Sequence, residues 1–355
     1  MSKSTGQKNK TQVQWSSPSN IALVKYWGKH GQQLPRNASV SFTLSHAKTT
    51  PRITMEDMEG VAYPAVDFTF EGRQQPLFAQ RTVKFINGLT DVCFPFLKGK
   101  KLTIDTQNTF PHSSGIASSA SGMSALSLCL CDLEMQCNGT TIYDAAFYRK
   151  ASLIARLGSG SAARSVFPGM SVWGYHKDIS GSSDDYGISV ADDVAPVFKN
   201  FHDDILIISD KTKSVSSTAG HQLMDNNPFA QVRYEQAEKN LTQLMIALKT
   251  GDLEILGKIT EDEALTLHAL MMCSNPSYIL MEPASLEVIN KIRKFRQKTG
   301  IPVYFTLDAG PNVHVLYPHE YVAEVKKFIR EDLSQHCVNN HIVEDQVGDG
   351  PQKLV

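Results

Sequence analysis

A run of small, hydroxyl-rich residues that leads directly into a helical pattern constrains this chain more than any other feature. The run covers residues 113–122, where Gly115 lies among serines and alanines. Met123, Leu126 and Leu130 recur behind it at a spacing of three or four and predict a helix with one apolar face. Such a loop lets a phosphate lie against backbone N–H groups at the positive end of the helix dipole. An ordinary Ser/Gly loop before a capped helix is an equal alternative, because no Gly-Lys-Ser/Thr of a Walker A loop follows.

The charge and hydropathy of the chain exclude several classes of protein. Its 355 residues suggest about two domains, and a formal net charge of −1 gives no overall field that would attract nucleic acid or an anionic membrane. We find no stretch of 18 apolar residues. Residues 1–14 are polar and basic, so we expect a disordered tail there and neither a signal peptide nor a membrane span.

The cysteine pattern indicates a reducing compartment and argues against a structural metal site. The six cysteines include no CxxC pair and no His/Cys cluster at zinc-like spacing. Several lie in apolar helical surroundings, where a free thiol behaves as a small core residue. We therefore expect a reducing cytoplasm and no structural metal.

The apolar patterns divide the chain into a strand-rich front and a helix-rich back. Strands are predicted at residues 13–15, 20–26, 39–44, 51–55, 65–70 and 101–107, and helices at 77–89 and 143–157. After a loop at 180–186 we expect a buried strand at 205–208, a helix running from 228 towards 249, a second opened by residues 251–252, and a third closed by Gly300. Two strands around a turn at 308–312 and a last helix at 320–333 follow. The order of elements predicts an α+β fold in two domains with a boundary near residue 195.

Two lysines lie close together at the end of the second predicted strand. If that strand persists, Lys25, Trp27 and Lys29 share one face. Two ammonium groups on one face repel each other unless an anion lies between them, and lysine suits phosphate as a compact point charge. The alternative is a pair of solvated surface lysines. The neighbouring Tyr26 and Trp27 argue against that interpretation, because a solvated face does not usually carry such side chains.

A glycine- and serine-rich segment precedes an arginine at residues 158–165. Ser159 lies between two glycines, and Ser161 is placed to cap a new turn. Arg164 would then lie in the first turn of a helix, where its charge opposes the dipole, so a bound anion is a natural explanation. A guanidinium matches a carboxylate with two parallel hydrogen bonds. The alternative is a Gly/Ser turn with an exposed arginine.

A carboxylate lies in the turn between the last two predicted strands. Asp308, Gly310, Pro311 and Asn312 all favour turns, so hairpin chemistry alone can explain them. A carboxylate at the mouth of a buried strand is also well placed to act on a hydroxyl proton. The two explanations are about equal on this segment alone.

Taken together, these segments resemble the diphosphomevalonate decarboxylase family of the GHMP kinase superfamily. The resemblance runs in order from residue 13 to residue 317 and rests on residues 20–29, 110–120, 158–165, 215–220 and 308–312. The Lys-Tyr-Trp-Gly-Lys and Asp-Ala-Gly-Pro-Asn elements are specific to that family, whereas the Gly-Ile-Ala-Ser-Ser loop occurs in GHMP kinases generally.

The resemblance implies a reaction and a role for each residue. It implies ATP-dependent, Mg²⁺-assisted phosphorylation of a tertiary 3-hydroxyl, then loss of phosphate and CO2 to give isopentenyl diphosphate. Asp308 would be the catalytic carboxylate, Lys25 would orient it, and Arg164 would hold the departing carboxylate. The implied lining of the acidic substrate's pocket is Tyr26, Lys29, Ser159, Ser161, Ser217 and Thr218. The implied ATP loop is Ser113, Ser114, Gly115, Ile116, Ala117, Ser118 and Ser119, with Ser119 as the candidate Mg²⁺ contact through Mg-ATP.

The resemblance also implies an architecture. It places a GHMP ATP-binding domain at residues 15–195, a C-terminal GHMP domain at 196–335, and an extension at 336–355 that returns to the N-terminal domain. The active site would lie in the cleft between the domains of a cytoplasmic homodimer, with no nucleic-acid or membrane partner.

Two departures from the family pattern add histidines to the chain. His112 and His221 stand where the family usually has threonine and methionine, and we expect both to be solvated unless they make nucleotide affinity pH-dependent.

Two other functions stay open. A mevalonate 3-kinase or a phosphomevalonate decarboxylase on the same fold is one alternative. A non-catalytic metabolite-binding protein is the other, although Lys25, Arg164 and Asp308 are all present.

Overall fold

The computed structural model describes residues 10–110, 116, 118–211 and 214–355. Its strands are β1 (Thr11–Val24), β2 (Lys29–His30), β3 (Leu34–Pro35), β4 (Ser39–Asp57), β5 (Ala65–Phe70), β6 (Arg73–Gln74), β7 (Lys100–Asn108), β8 (Met170–Trp173), β9 (Gly187–Ser189), β10 (His202–Leu206), β11 (Tyr304–Thr306), β12 (Val313–Tyr317), β13 (Ile342–Gln346) and β14 (Gln352–Lys353). Its α-helices are α1 (Pro76–Thr90), α2 (Ser118–Cys137), α3 (Ala145–Gly158), α4 (Ser217–Gln222), α5 (Ala230–Thr250), α6 (Leu253–Met272), α7 (Pro283–Thr299) and α8 (Val322–Phe328).

The front half is built on one mixed sheet. Its strand order is β14-β1-β4-β7-β5-β6, and β8 joins the first residues of β4 with β9 beside it. The strands β1 and β4 pair antiparallel along most of their length, with an irregularity after Pro18. Helix α2 packs on β1 and β4, and α3 packs on α2. The buried residues of α2 share a core with Val13 and Trp15 at the start of β1, whereas Ile21, Leu23 and Val24 at its end belong to a second core.

The back half is built on a smaller antiparallel sheet of order β11-β12-β10-β13. Every residue of β10, β11 and β12 is buried, as expected for strands covered by helices. Helix α6 begins at Asp252, whose carboxylate accepts the Ile255 N–H. Helix α7 ends at Gly300, which adopts a left-handed conformation with φ of 74°.

The last residues connect the two halves. Strand β13 pairs with β10, and the Asp345 carboxylate accepts the backbone N–H groups of Ser45, His46 and Ala47 on β4. Strand β14 then pairs with β1. The chain end thus ties the small sheet to the large one.

The predicted elements agree with the structure in type and differ at several ends. Strand β1 begins at Thr11, inside the segment predicted as a tail, and runs without interruption to Val24. The last helix, predicted at residues 320–333, is formed by α8 and a π-helical segment that follows it at Ile329–Leu333. All six cysteines lie within the described residues and are free. In the described part of the chain, no helix is long and apolar enough to span a bilayer.

Candidate active site

Lys25 and Asp308, far apart in sequence, form an ion pair where the two halves meet. Strand β1 ends at Val24, so Lys25 begins a loop, and Asp308 lies in the turn between β11 and β12. The Lys25 Nζ donates to Asp308 Oδ1 at 2.9 Å. The Lys25 side chain is only 2% exposed, whereas that of Asp308 is 30% exposed. The carboxylate is therefore partly exposed, with a buried ammonium behind it.

The backbone of Lys25 is fixed by a buried polar network from the back half. Its N–H donates to Glu263 Oε2 at 2.8 Å, and its carbonyl accepts from Arg233 Nη2 at 3.1 Å. Arg233 and Glu263 also bind each other through two hydrogen bonds of 2.7 and 2.5 Å. Asn37 Nδ2 donates to the same Lys25 carbonyl at 3.0 Å. The position of Lys25 thus depends on helices α5 and α6.

The turn that carries Asp308 is anchored through the backbone carbonyl of Asp308. That carbonyl is 3.1 Å from His268 Nε2 and accepts the Gly310 N–H at 2.7 Å. Asn312 Oδ1 accepts the Ser209 N–H at 3.0 Å, which fixes the far side of the turn. Turn chemistry therefore accounts for Gly310 and Asn312 and leaves the Asp308 carboxylate for the ion pair.

Arg164 is a buried cation whose hydrogen bonds, among the described residues, go to neutral oxygens. Its Nε donates to Ser41 Oγ at 2.8 Å, its Nη1 donates to Ser39 Oγ, and its Nη2 donates to Asn20 Oδ1 at 3.3 Å. Burial lowers the pKa of Arg164 to about 10, and the negative charge of Asp308 opposes that shift. The guanidinium stays protonated at neutral pH, and its remaining N–H groups are available for an anion.

The helical environment predicted for Arg164 is wrong. Gly160–Ala163 is a single 3-10 turn, and Arg164 follows it as the C-cap residue. Ser161 lies inside that turn and caps nothing. Arg164 is positioned instead by the hydroxyls of β4, and it is buried, contrary to the alternative of an exposed arginine.

The aromatic rings of Tyr26 and Trp27, which follow Lys25 in the chain, both lie against the ring of His221. The His221 ring lies 4.4 Å from that of Tyr26 and 4.5 Å from that of Trp27. His221 is only 8% exposed, so the expectation that it is solvated is wrong. Burial lowers the pKa of His221 to about 3 and raises that of the Tyr26 phenol well above its usual value. His221 is therefore neutral throughout the physiological range, while His112 lies outside the described residues.

The predicted face shared by the two lysines does not form. Gly28 has a φ of 96°, which turns the chain between Trp27 and the short hairpin of β2 and β3. Lys29 Nζ donates to Gln33 Oε1 at 2.7 Å, and partial burial lowers the pKa of Lys29. Lys25 is buried against Asp308, whereas Lys29 hydrogen-bonds to Gln33 beside the short hairpin, so the two ammonium groups do not share one face.

The hydroxyl residues predicted for the pocket lie at the end of α3, in the 3-10 turn after it and at the start of α4. Ser159 follows α3, and its Oγ is 3.4 Å from the Oγ of Ser119 at the start of α2. Ser161 is half-buried, and its carbonyl accepts Asn20 Nδ2 at 3.1 Å. Ser217 and Thr218 are exposed in the first turn of α4, whose N-cap is Ser216.

Only part of the predicted phosphate loop lies within the described residues. Ser113, Ser114, Gly115 and Ala117 are outside them. The Ile116 carbonyl accepts a hydrogen bond from Ser19 Oγ at 2.7 Å, and Ser118 and Ser119 begin α2. The first turn of α2 carries no acidic residue that would repel a polyphosphate. Across the described part of the chain, His, Cys, Asp and Glu form no group of three that could hold a metal.

Sequence reasoning missed the residues that position the charged ones. Ser39, Ser41, Arg233 and Glu263 carry no local signal, because each acts on a residue more than 100 positions away. Asn20 was part of the recognised segment, and the structure adds its role in holding Arg164.

Comparison with known proteins identifies relatives over nearly the whole chain. The family model "Diphosphomevalonate decarboxylase-like N-terminal domain" matches residues 17–185, and "Mevalonate 5-diphosphate decarboxylase C-terminal domain" matches residues 204–353. The diphosphomevalonate decarboxylase of Gibberella zeae is 31% identical over 327 residues, which is 87% of this chain and 81% of that protein.

Solved structures agree with these matches. One titled "MDDEF in complex with MVAPP, AMPPCP and Magnesium" has a TM-score of 0.81 at 30% identity and covers 98% of this chain and 99% of that one. A structure of the mevalonate diphosphate decarboxylase from Enterococcus faecalis, whose title concerns ATP binding, has a TM-score of 0.81 at 28% identity with the same coverage. The predicted α+β, GHMP-kinase-like fold is confirmed.

Proposed function

The chain belongs to the mevalonate diphosphate decarboxylase family, and on that premise we propose that Asp308, Lys25 and Arg164 are its catalytic residues. Its activity is the ATP-dependent decarboxylation of mevalonate diphosphate, with Mg²⁺ accompanying the nucleotide. The proposed product is isopentenyl diphosphate, formed with ADP, phosphate and CO2. The observation that carries the assignment is the half-open Asp308 carboxylate, paired with one buried cation and within the field of a second.

Asp308 is placed to act on a hydroxyl group of the substrate. One of its oxygens is held by Lys25 at 2.9 Å, which fixes the orientation of the carboxylate. A tertiary alcohol is a poor nucleophile, so an accurately placed carboxylate contributes by orienting the hydroxyl and accepting its proton. When phosphate later leaves, positive charge builds at carbon three, and the Asp308 anion stabilises it electrostatically.

Arg164 is suited to hold the substrate carboxylate. A buried guanidinium with only neutral partners among the described residues is costly to desolvate, and a carboxylate that fills its remaining N–H groups offsets that cost. The serine and asparagine oxygens keep the planar fork in one orientation, so the carboxylate is aligned before it leaves as CO2.

The described residues fit a magnesium nucleotide. Helix α2 is 20 residues long and starts with exposed or half-buried serines and no acidic side chain, so its N-terminus suits phosphate. Mg²⁺ commonly takes several of its ligands from substrate phosphates, which agrees with the absence of an acidic cluster in the described residues. When bound, ATP supplies the phosphoryl group that makes the tertiary hydroxyl a leaving group. Ser119, with the loop before it, would hold the phosphates.

The substrate pocket and the wider organisation are also proposed from the family. Tyr26, Lys29, Ser159, Ser161, Ser217 and Thr218 would bind the rest of the acidic substrate. The chain would divide near residue 195 into two GHMP domains, with residues 336–355 returning to the first. The six free cysteines agree with a cytoplasmic location. A homodimer is proposed, and light scattering on the eluting peak of a sizing column would test it.

A substrate panel tests the proposed function against its nearest alternatives. ADP release is measured with mevalonate diphosphate, mevalonate monophosphate and free mevalonate at equal concentrations. We expect kcat/KM to be highest for the diphosphate. A preference for the monophosphate or for free mevalonate would indicate a phosphomevalonate decarboxylase or a 3-kinase, and no ADP release with any of the three would indicate a binding protein.

A further inference from the structure

His221 is held in one tautomer by the backbone of the loop that follows β1, at Gly28. Its Nδ1 lies 2.9 Å from the Gly28 nitrogen and accepts that N–H. A ring nitrogen that accepts a hydrogen bond carries no proton. The ring is neutral because its burial and the nearby Lys29 charge both disfavour the imidazolium. The single ring proton of His221 therefore resides on Nε2.

That Nε2–H has no acceptor among the described residues. No hydrogen bond of the described chain involves it, and the Tyr26 and Trp27 rings both lie close to the imidazole, at 4.4 and 4.5 Å between ring centroids. It is also not one of the enclosed side-chain atoms that lack a partner. The remaining 8% of the residue's surface therefore includes this N–H. A donor that is rigidly mounted and otherwise buried is prepared for an acceptor from outside the chain.

The surroundings of the ring indicate what that acceptor is. Lys29 is close enough for its charge to lower the pKa of the ring, and the Tyr26 ring lies 4.4 Å from it between centroids. Ser217 and Thr218, on the same helix α4, present exposed hydroxyls. A cation, two hydroxyls and an N–H donor suit the oxygens of a phosphate or diphosphate group.

We propose that His221 binds the diphosphate of the substrate through Nε2–H, as a neutral donor beside Lys29. The inference rests on the proposed function, because it assigns a specificity residue to that same site. Its Nδ1 contact sets the donor's direction, and the Tyr26 and Trp27 rings pack against the imidazole. Because the donor is uncharged, its contribution to binding does not decrease as the pH rises above 6.5.

Three substitutions separate the two ring nitrogens. His221→Asn places an oxygen near Nδ1 and keeps the Gly28 contact but loses the distal donor. His221→Gln reaches the Nε2 position with an N–H donor but loses the proximal acceptor, and His221→Met removes both. We expect the KM for mevalonate diphosphate to rise about tenfold in the asparagine and methionine variants, with a much smaller rise for glutamine and little change in kcat. Any order other than glutamine closer to wild type than asparagine overturns the donor role.

A second measurement needs neither variants nor turnover. In wild-type protein labelled with ¹⁵N-histidine, long-range ¹H–¹⁵N spectra at neutral pH should show a protonated Nε2 and a bare Nδ1 for His221. Addition of mevalonate diphosphate should shift the Nε2–H signal. A proton on Nδ1, or an Nε2–H signal that the substrate leaves unchanged, overturns the inference. Failure of the proposed function is distinct: wild-type protein would then release no CO2 from mevalonate diphosphate, whatever the tautomer.

Discussion

Replacing Glu263 by glutamine should both destabilise the protein and slow its chemistry. The Glu263 carboxylate is fully buried and accepts hydrogen bonds from Lys25 N–H, from two nitrogens of Arg233, and from Asn240 Nδ2 at 2.7 Å. Glutamine has the same shape but only one acceptor oxygen. Its amide would meet N–H donors, and the Arg233 side chain, 1% exposed, would lose its counter-charge.

The expected losses follow from these contacts. Removing one partner of a buried ion pair costs about 3–5 kcal/mol of unfolding free energy, because a buried charge is left uncompensated. Lys25 loses a backbone anchor in the same change, and a catalytic group displaced by about 1 Å can cost on the order of 100-fold in rate. We therefore expect kcat to decrease about 100-fold in the protein that remains folded.

Glu261→Gln provides a matched control on the same helix. Glu261 is itself only 6% exposed, but its partners Arg293 and Arg296 are 45% and 29% exposed and can be solvated, so its loss should cost about 1–3 kcal/mol and leave kcat unchanged. Urea unfolding gives the stabilities, and ADP release at saturating substrate gives kcat. If both variants lose the same stability and both keep wild-type kcat, Glu263 does not position Lys25.

Three further predictions concern the charged residues of the site and His221. Asp308→Asn should lower the single-turnover rate constant by about 10²–10⁴-fold while calorimetry still detects substrate binding. A variant that keeps a tenth of the wild-type rate constant would contradict the role of Asp308. Arg164→Lys keeps the charge but loses the planar fork and should mainly lower kcat, whereas Lys29→Ala should mainly raise KM; the same kinetic pattern in both would refute their separate roles. The His221 pKa of about 3 lies below the unfolded value, so the unfolded chain binds an extra proton and stability falls as pH drops from about 6.5 towards about 3. His221→Met should remove up to about 1.4 kcal/mol per pH unit of that dependence in urea titrations, and parallel curves for the two proteins would show that the ring titrates freely.

The sequence predicted elements well where their signals are local. The start of α6 at Asp252 and the end of α7 at Gly300 depend on residues within one turn, so capping rules locate both. The strands β11 and β12 were predicted for the same reason, since a turn sequence separates two apolar runs.

The site was less predictable because its contacts are long-range. Residues 25 and 308 are 283 positions apart, and only the family resemblance connected them before the structure did. Arg164 was assigned to a helix because the sequence does not reveal that serines of β4 would hold it. His221 was expected in solvent because a lone histidine gives no sign of the two aromatic rings that enclose it. Local propensity does not contain these tertiary contacts.

The ratio of CO2 to ADP in a single turnover tests the central claim most directly. Purified protein in excess over carboxyl-labelled mevalonate diphosphate, with Mg-ATP, is quenched at intervals and both products are counted. A site in which Asp308 and Lys25 act on the hydroxyl while Arg164 holds the carboxylate should release one CO2 for each ADP. ADP formed without CO2 would contradict that account and would identify the protein as a 3-kinase.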